Sequence, residues 1–419
     1  MDKNMCKRIR LGLFGRRSPA VLPSLFLSLA ATAANVADAP IGVFDSGVGG
    51  LTVLEQLLTL DRVDNVTGMP GPDGVPDLQG ESFVQLADMA NLHYGSYAAA
   101  GPDGVAFLRE LSIRDAFFLL SDGYFRTAAE RVPRGRKTPA KIIVIACNTA
   151  TAYGLPGIEA SLAAVASPVR VIGVVNAGSR SALERCGAGP EAKPFAIGVL
   201  STPGTDASGI YPRTIAAEAA RMGMRTAPRV VTRGCGNLAD AIQFGRSEAA
   251  GIARRYFREL VVELESSGST ERLRAVIFGC THYPFMRKAF ETALQEMRAD
   301  PKLSPYIDDA FSFVDPGVET AAECRAVLAS EGLLANRSGE SQVAAFVSVP
   351  CADLPAGRIG KDGTLEDGYK YSRKPGRDIV DTKFVPLDAG LSDRERFNRV
   401  IEPLPAVRRR LLGHENTGR

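Results

Sequence analysis

Two cysteines stand at the ends of two similar apolar runs, Lys141-Ile-Ile-Val-Ile-Ala-Cys147-Asn148-Thr149 and Arg274-Ala-Val-Ile-Phe-Gly-Cys280-Thr281-His282. Thiols can do acid/base work on a carbon acid, one as thiolate and the other protonated, provided that both reach the same atom. A lone buried cysteine is usually core, because free Cys is among the most buried residue types. Two in matching contexts read as a pair facing one substrate. Each run is short, rich in β-branched residues and followed by small or hydroxylated residues, the pattern of a buried strand whose loop feeds a helix. Each thiol is then expected at the carboxyl end of a strand, where open α/β sheets keep their ligand crevice. A following helix would aim N–H groups at the sulfur and lower its pKa.

The elements that must carry these thiols repeat as well. Ile41-Gly-Val-Phe-Asp45-Ser46-Gly47 precedes Cys147, and Ile197-Gly-Val-Leu-Ser201-Thr202-Pro-Gly204-Thr205 precedes Cys280. Strand–helix alternation throughout argues for parallel sheets flanked by helices. The fold expected is α/β, with two pseudo-symmetric domains, each a mainly parallel sheet flanked by helices, and an active site in the cleft between them. A strand is read over Ser82–Ala87, another over Val169–Val175, and a final short one from Phe311 before Asp315-Pro-Gly317. Helices are read from Leu51, within residues 101–140, and over Glu319–Glu331. Residues 63–80, dense in Gly, Pro and Asp, read as a loop insertion. From about Cys351 the chain is polar and rich in Gly, Pro and charge, and is expected to wrap the surface or stay partly disordered.

At 419 residues there is room for two or three domains. The net charge of +3 conceals an asymmetry, because residues 1–33 carry +5 and leave −2 for the remainder. With no Trp and no basic face, nucleic acid is not an expected partner. The basic head and the apolar run Val21–Ala31 read as an export signal, with Ala31-Thr-Ala33 as a cleavage site. That run is too short to span a bilayer, and no later segment reaches spanning length. A periplasmic or secreted location is expected if the signal is real, and a cytoplasmic one if the start codon is mis-assigned. Cys186, Cys235, Cys324 and Cys351 are left as candidates for disulfides. No C-x-x-C occurs and the chain has three His, so no metal site is expected.

The loop Asp45-Ser46-Gly47-Val-Gly49-Gly50-Leu-Thr52 lacks the third glycine of a dinucleotide fingerprint and the Gly-Lys of a P-loop. Together with Ala146-Cys147-Asn148-Thr149-Ala150-Thr151 and Gly279-Cys280-Thr281-His282-Tyr283-Pro284, it resembles the glutamate racemases of the aspartate/glutamate racemase superfamily. Asp88…Tyr94-Gly95, Ser201-Thr-Pro-Gly204-Thr205…Ser208…Tyr211 and Asp315-Pro-Gly317…Glu319 stand in the family's order, so the likeness covers roughly residues 40–345.

The resemblance implies a racemase of acidic amino acids that needs no cofactor and supplies D-glutamate for peptidoglycan. It makes Cys147 and Cys280 the acid/base pair, with Asp45 and His282 assisting. It makes Ser46, Tyr94, Gly95, Asn148, Thr149 and Thr281 the substrate-binding residues. The partner is a small amino acid, and a homodimer is left open. Domain A would comprise residues 40–175 plus 313–345, domain B residues 176–312, and a C-terminal extension residues 346–419. Asn176-Ala177, His93 before Tyr94 and Gly234-Cys235-Gly236 depart from the family pattern, which leaves open the substrate preference and the catalytic tuning but not the two-thiol mechanism. Thiol hydrolase or lyase chemistry on the same scaffold, with one nucleophilic Cys, is a separate alternative. A binding protein without catalysis is a further alternative.

Overall fold

The computed structural model describes residues 36–337, 339–391 and 394–412. The export signal expected over residues 1–33 lies outside them. Strand β1 (Ile41–Asp45) leads into helix α1 (Gly50–Thr59), and beyond the 63–80 loop come β2 (Ser82–Ala87), α2 (Tyr94–Ala99) and α3 (Gly101–Leu120). A two-stranded ribbon, β3 (Gly123–Tyr124) with β4 (Gly135–Arg136), precedes β5 (Ile142–Ile145), α4 (Asn148–Ala164), β6 (Arg170–Gly173) and α5 (Val174–Arg185). Next come β7 (Ala196–Ser201), α6 (Pro203–Ser208), α7 (Ile210–Arg221), β8 (Arg229–Gly234), α8 (Leu238–Gln243) and α9 (Ala249–Ser266). The chain then runs through β9 (Leu273–Gly279), α10 (Arg287–Ala299), β10 (Ile307–Val314), α11 (Pro316–Ser330), β11 (Gln342–Pro350) and β12 (Thr382–Pro386). The described residues end in helix α12 (Pro405–Leu412).

Among the described residues the first sheet has six strands in the order β12-β11-β2-β1-β5-β6, and the second has four in the order β10-β9-β7-β8. All neighbours pair in parallel except β11 with β12. Strands covered by helices on both faces must be apolar throughout, and β1 and β5 are buried along their whole length. The repeated Ile-Gly-Val has a steric reason. A Cβ at Gly42 would stand 2.9 Å from Ala140 Cβ and 3.1 Å from Leu119, and one at Gly198 would stand 2.9 Å from Leu260 and Val276. At both places a helix side chain, Leu119 of α3 or Leu260 of α9, and a second neighbour pack directly over the strand backbone, so any side chain would force them to shift.

Three of the expected domain boundaries fall inside elements. The one at 345/346 falls inside β11, which pairs with β2, and β12 then forms the sheet edge. The polar composition after Cys351 hides a five-residue strand and a closing helix. Val407 of α12 is buried, and Glu55 of α1 accepts the N–H groups of Ala406 at 3.1 Å and Val407 at 2.8 Å. The boundary at 312/313 falls inside β10, which pairs with β9 through a register shift between Ile307 and Ser312. The boundary at 175/176 falls inside α5, because Val174 and Val175 bury themselves in the first turn of a helix and the preceding strand stops at Gly173. Within 101–140 the helix ends at Leu120 and the ribbon takes over. Among the described residues no helix is long and apolar enough to cross a membrane. Six cysteines, Cys147, Cys186, Cys235, Cys280, Cys324 and Cys351, are buried and free.

Candidate active site

Both thiols reach one cavity at the carboxyl ends of the two sheets. Asp45, Ser46, His93, Tyr94, Gly95, Cys147, Asn148 and Thr149 line it from one side, and Thr202, Ala239, Gly279, Cys280, Thr281 and His282 from the other. All ten residues expected from the sequence are among them. The cavity measures about 20 Å³, room for roughly one water molecule, so the two halves are closed on each other. Thr52 Oγ1 donates to Thr281 O at 3.1 Å across the junction, and Thr281 Oγ1 donates to Asp45 at 3.5 Å.

Cys147 caps α4, and its sulfur accepts the Ala150 N–H at 3.4 Å while the thiol donates to Ser46 Oγ at 3.8 Å. The helix start is expected to lower this thiol's pKa. Burial, seconded by the Asp45 carboxylate, pushes it up instead. Cys280 does not lead directly into an α-helix. A 3₁₀ turn, Tyr283–Met286, intervenes, and burial holds this thiol too well above its ordinary value. The Cys280 sulfur lies 3.7 Å from His282 Nδ1. Burial pushes His282 down to about 3, so the ring is neutral at pH 7. Asp45 is raised by burial, although it accepts the N–H groups of Gly50 at 2.8 Å and Gly47 at 3.3 Å.

Hydroxyls and amides furnish the rest of the wall. Thr149 Oγ1 bonds Thr202 Oγ1 at 3.2 Å and Thr205 Oγ1 at 2.9 Å. Tyr211 donates to Asn148 Oδ1 at 2.6 Å, leaving Asn148 Nδ2 buried without a partner. The Tyr94 hydroxyl is engaged elsewhere, 2.5 Å from both Asp88 and Asp115, so this residue offers the cavity its ring and backbone only. Asn176 is exposed on α5 and does not line the cavity, so that departure from the family pattern leaves the wall intact.

Sequence reading missed Gln243, whose Oε1 lies 2.8 Å from His282 Nε2 and accepts the Val48 N–H at 3.2 Å. The one signal was an amide closing the short amphipathic stretch Leu238–Gln243. It also missed the placement of His93, whose ring packs edge-to-face on His282 at 5.7 Å and whose Nε2 lies 3.6 Å from Asp240. Among the described residues no group of three or more His, Cys, Asp or Glu side chains is disposed to hold a metal ion.

Comparison with known proteins agrees with this architecture. Residues 94–306 match the family described as Asp/Glu/Hydantoin racemase. The chain is 28% identical over 332 residues to a glutamate racemase of Limosilactobacillus fermentum, covering 79% of this chain and 94% of that one. A glutamate racemase of Lysinibacillus sphaericus is 27% identical over 331 residues, covering 79% and 96%. Among solved structures, glutamate racemase isoform RacE1 of Bacillus anthracis superposes with a TM-score of 0.51 at 24% identity, covering 74% of this chain and 88% of that one, a likeness of fold. By fold, by the match of half its length and by these relatives, the chain belongs to the Asp/Glu/hydantoin racemase family of isomerases.

Proposed function

We propose that this chain interconverts L- and D-glutamate by removing the α-proton on one face and returning a proton on the other, with Cys147 and Cys280 as the two acid/base groups. The observation that carries the reading is that both thiols line one small cavity, Cys147 just beyond a strand of the first sheet and Cys280 just beyond a strand of the second. Without an electron sink the α-proton is weakly acidic, and a thiol with an ordinary pKa of about 8.5 is only about 3% ionised at pH 7. In the closed cavity burial makes ionisation harder still. The groups that can offset this on the Cys147 side are the Ala150 N–H at the start of α4 and the Ser46 hydroxyl. On the Cys280 side it is the main-chain N–H of His282, while the neutral His282 ring turns Nδ1 toward the sulfur at 3.7 Å and can accept a hydrogen bond from the thiol. The substrate's own ammonium group, bound near Asp45, would favour a thiolate further.

The substrate α-carboxylate and side-chain carboxylate would be held by hydroxyls and amide donors: Ser46, Thr149, Thr281, the spare Asn148 Nδ2 and the Gly95 backbone. No lysine or arginine stands among the described residues lining the cavity. The family resemblance favours glutamate, and D-glutamate supply for peptidoglycan is the role it implies. A chiral assay of the purified chain on all amino acids, without added cofactor, tests this. We expect glutamate to turn over in both directions. Faster racemisation of a neutral or basic amino acid would refute the substrate, and absence of any racemisation would refute the activity.

A further inference from the structure

The loop that brings Tyr94 and Gly95 to the cavity comes after β2 but belongs to no sheet ladder, so its backbone groups need other partners. Residues from the far end of the chain supply them. The Ala90 N–H donates to Ser348 Oγ of β11 at 2.9 Å, and the Ala90 carbonyl accepts the Leu365 N–H. One phenol oxygen, that of Tyr371, accepts the His93 N–H at 3.1 Å and donates to the Leu92 carbonyl at 3.2 Å. Asn91 donates to Thr382 Oγ1 at 3.3 Å and accepts from the Arg373 guanidinium. Arg373 is 2% exposed, donates also to Tyr97 Oη at 2.7 Å and lies over the Phe107 ring at 4.6 Å. The Tyr371 ring stands edge-on to Tyr97 at 4.9 Å.

We propose that the C-terminal segment 351–386 is a positioning element of the active site, in which Tyr371 and Arg373 hold the loop 88–95 so that Tyr94 and Gly95 face the substrate. Neither residue lines the cavity. They act through the loop, and the proposal rests on the reading of that cavity as a racemase site. A loop whose polar groups were satisfied by water would sample many positions, and displacing a binding group by about 1 Å is enough to weaken binding severely. Tying four consecutive residues to donors and acceptors fixed elsewhere in the fold removes that freedom before substrate arrives.

The test uses the full chain with Tyr371→Phe, Arg373→Met and the conservative Arg373→Lys. It combines amide hydrogen exchange over residues 88–97 with steady-state kinetics on the amino acid that the wild type racemises. The Phe and Met variants should lose protection at 88–97 while β5 and α4 keep theirs, and KM should rise about tenfold with kcat nearly unchanged, the size expected for one or two lost hydrogen bonds. Arg373→Lys, which keeps the cation and a donor, should recover part of both. Unchanged protection at 88–97 would overturn the proposal. So would lost protection with unchanged KM, because the segment would then be structural only. If the wild type racemises no amino acid, the reading of the cavity fails by itself, and the exchange pattern still decides whether the segment holds the loop.

Discussion

His282 Nε2 stands 2.8 Å from Gln243 Oε1, and the same oxygen accepts the Val48 main-chain N–H at 3.2 Å. An amide atom that takes a main-chain N–H is the carbonyl oxygen, so the imidazole nitrogen beside it is the donor. His282 therefore carries its proton on Nε2 and turns the Nδ1 lone pair toward the Cys280 sulfur at 3.7 Å. Gln243 thus fixes the tautomer whose Nδ1 can accept a hydrogen bond from the Cys280 thiol. It also joins the two halves, because Val48 comes after β1 and His282 after β9.

Gln243→Leu should release that tautomer and lower kcat/KM on the order of 10- to 100-fold, the scale of impaired general acid/base catalysis. Gln243→Glu keeps an acceptor but adds a negative charge that favours the imidazolium. Its activity should fall at a higher pH on the acid side than that of the wild type. A pH–rate profile reads the shift, and with three His in the chain nitrogen NMR can track the tautomer directly.

Stability should carry the mark of the same histidine. Burial pushes His282 down to about 3 in the fold, against an ordinary value of 6.5. Between those values the unfolded chain binds a proton that the folded chain refuses, so stability falls as pH drops. From pH 7 to 5.5 this group alone should remove about 1 kcal/mol. Urea unfolding of the wild type and His282→Gln at both pH values measures it, and the variant should lose less on acidification.

The chemistry-bearing parts were legible because they sit on strands whose sequence leaves little choice. Ile142–Ile145 is apolar and β-branched, Leu273–Gly279 is apolar apart from Arg274, and a cysteine placed just beyond such a strand must lie at a sheet end. The ten residues expected at the site all line one cavity, eight of them because they sit at or just beyond such strand ends, whereas Tyr94 and Gly95 arrive on a loop and helix after β2. The illegible parts depend on partners distant in sequence. Gln243 meets His282 only because α8 and the turn after β9 converge. Thr382–Pro386 is a strand only because β11 offers an edge, and no local pattern in a polar segment announces that. The thiol electrostatics failed differently. The helix start at Cys147 is plain in the sequence, but the closure of the cavity, which a sequence does not state, makes desolvation outweigh it.

Closure itself depends on a backbone contact. A Cβ at Gly204 would stand 2.6 Å from Gly95 O, 2.8 Å from Gly95 Cα and 3.1 Å from Ala98 Cβ, none of them a flexible tip. Gly204→Ala should keep each sheet folded yet hold α6 away from α2. Racemisation should fall by at least about tenfold through KM, since a misplaced binding wall is costly. Solution scattering should report a more open molecule. A compact, fully active variant would mean that the contact adapts.

The two thiols provide the most direct test of chemistry. Either alone could loosen the α-proton of a bound amino acid, but delivering one to the opposite face takes the second, so both should be needed in each direction. Cys→Ser keeps the shape and the hydrogen-bonding capacity at positions that already sit among hydroxyls and N–H groups. The Cys147 sulfur, for instance, contacts Ser46 Oγ and the Ala150 N–H. The replacement changes acidity, because an alcohol is a far weaker acid than a thiol and proton transfer depends on basicity. Cys147→Ser and Cys280→Ser should each fold and bind substrate but lose racemisation by about 10²-fold or more in both directions. Wild type assayed in deuterated water should place deuterium at the α-carbon of the inverted product, because thiol protons exchange with solvent. Near-normal racemisation by either variant would leave a single catalytic thiol and exclude the two-face mechanism.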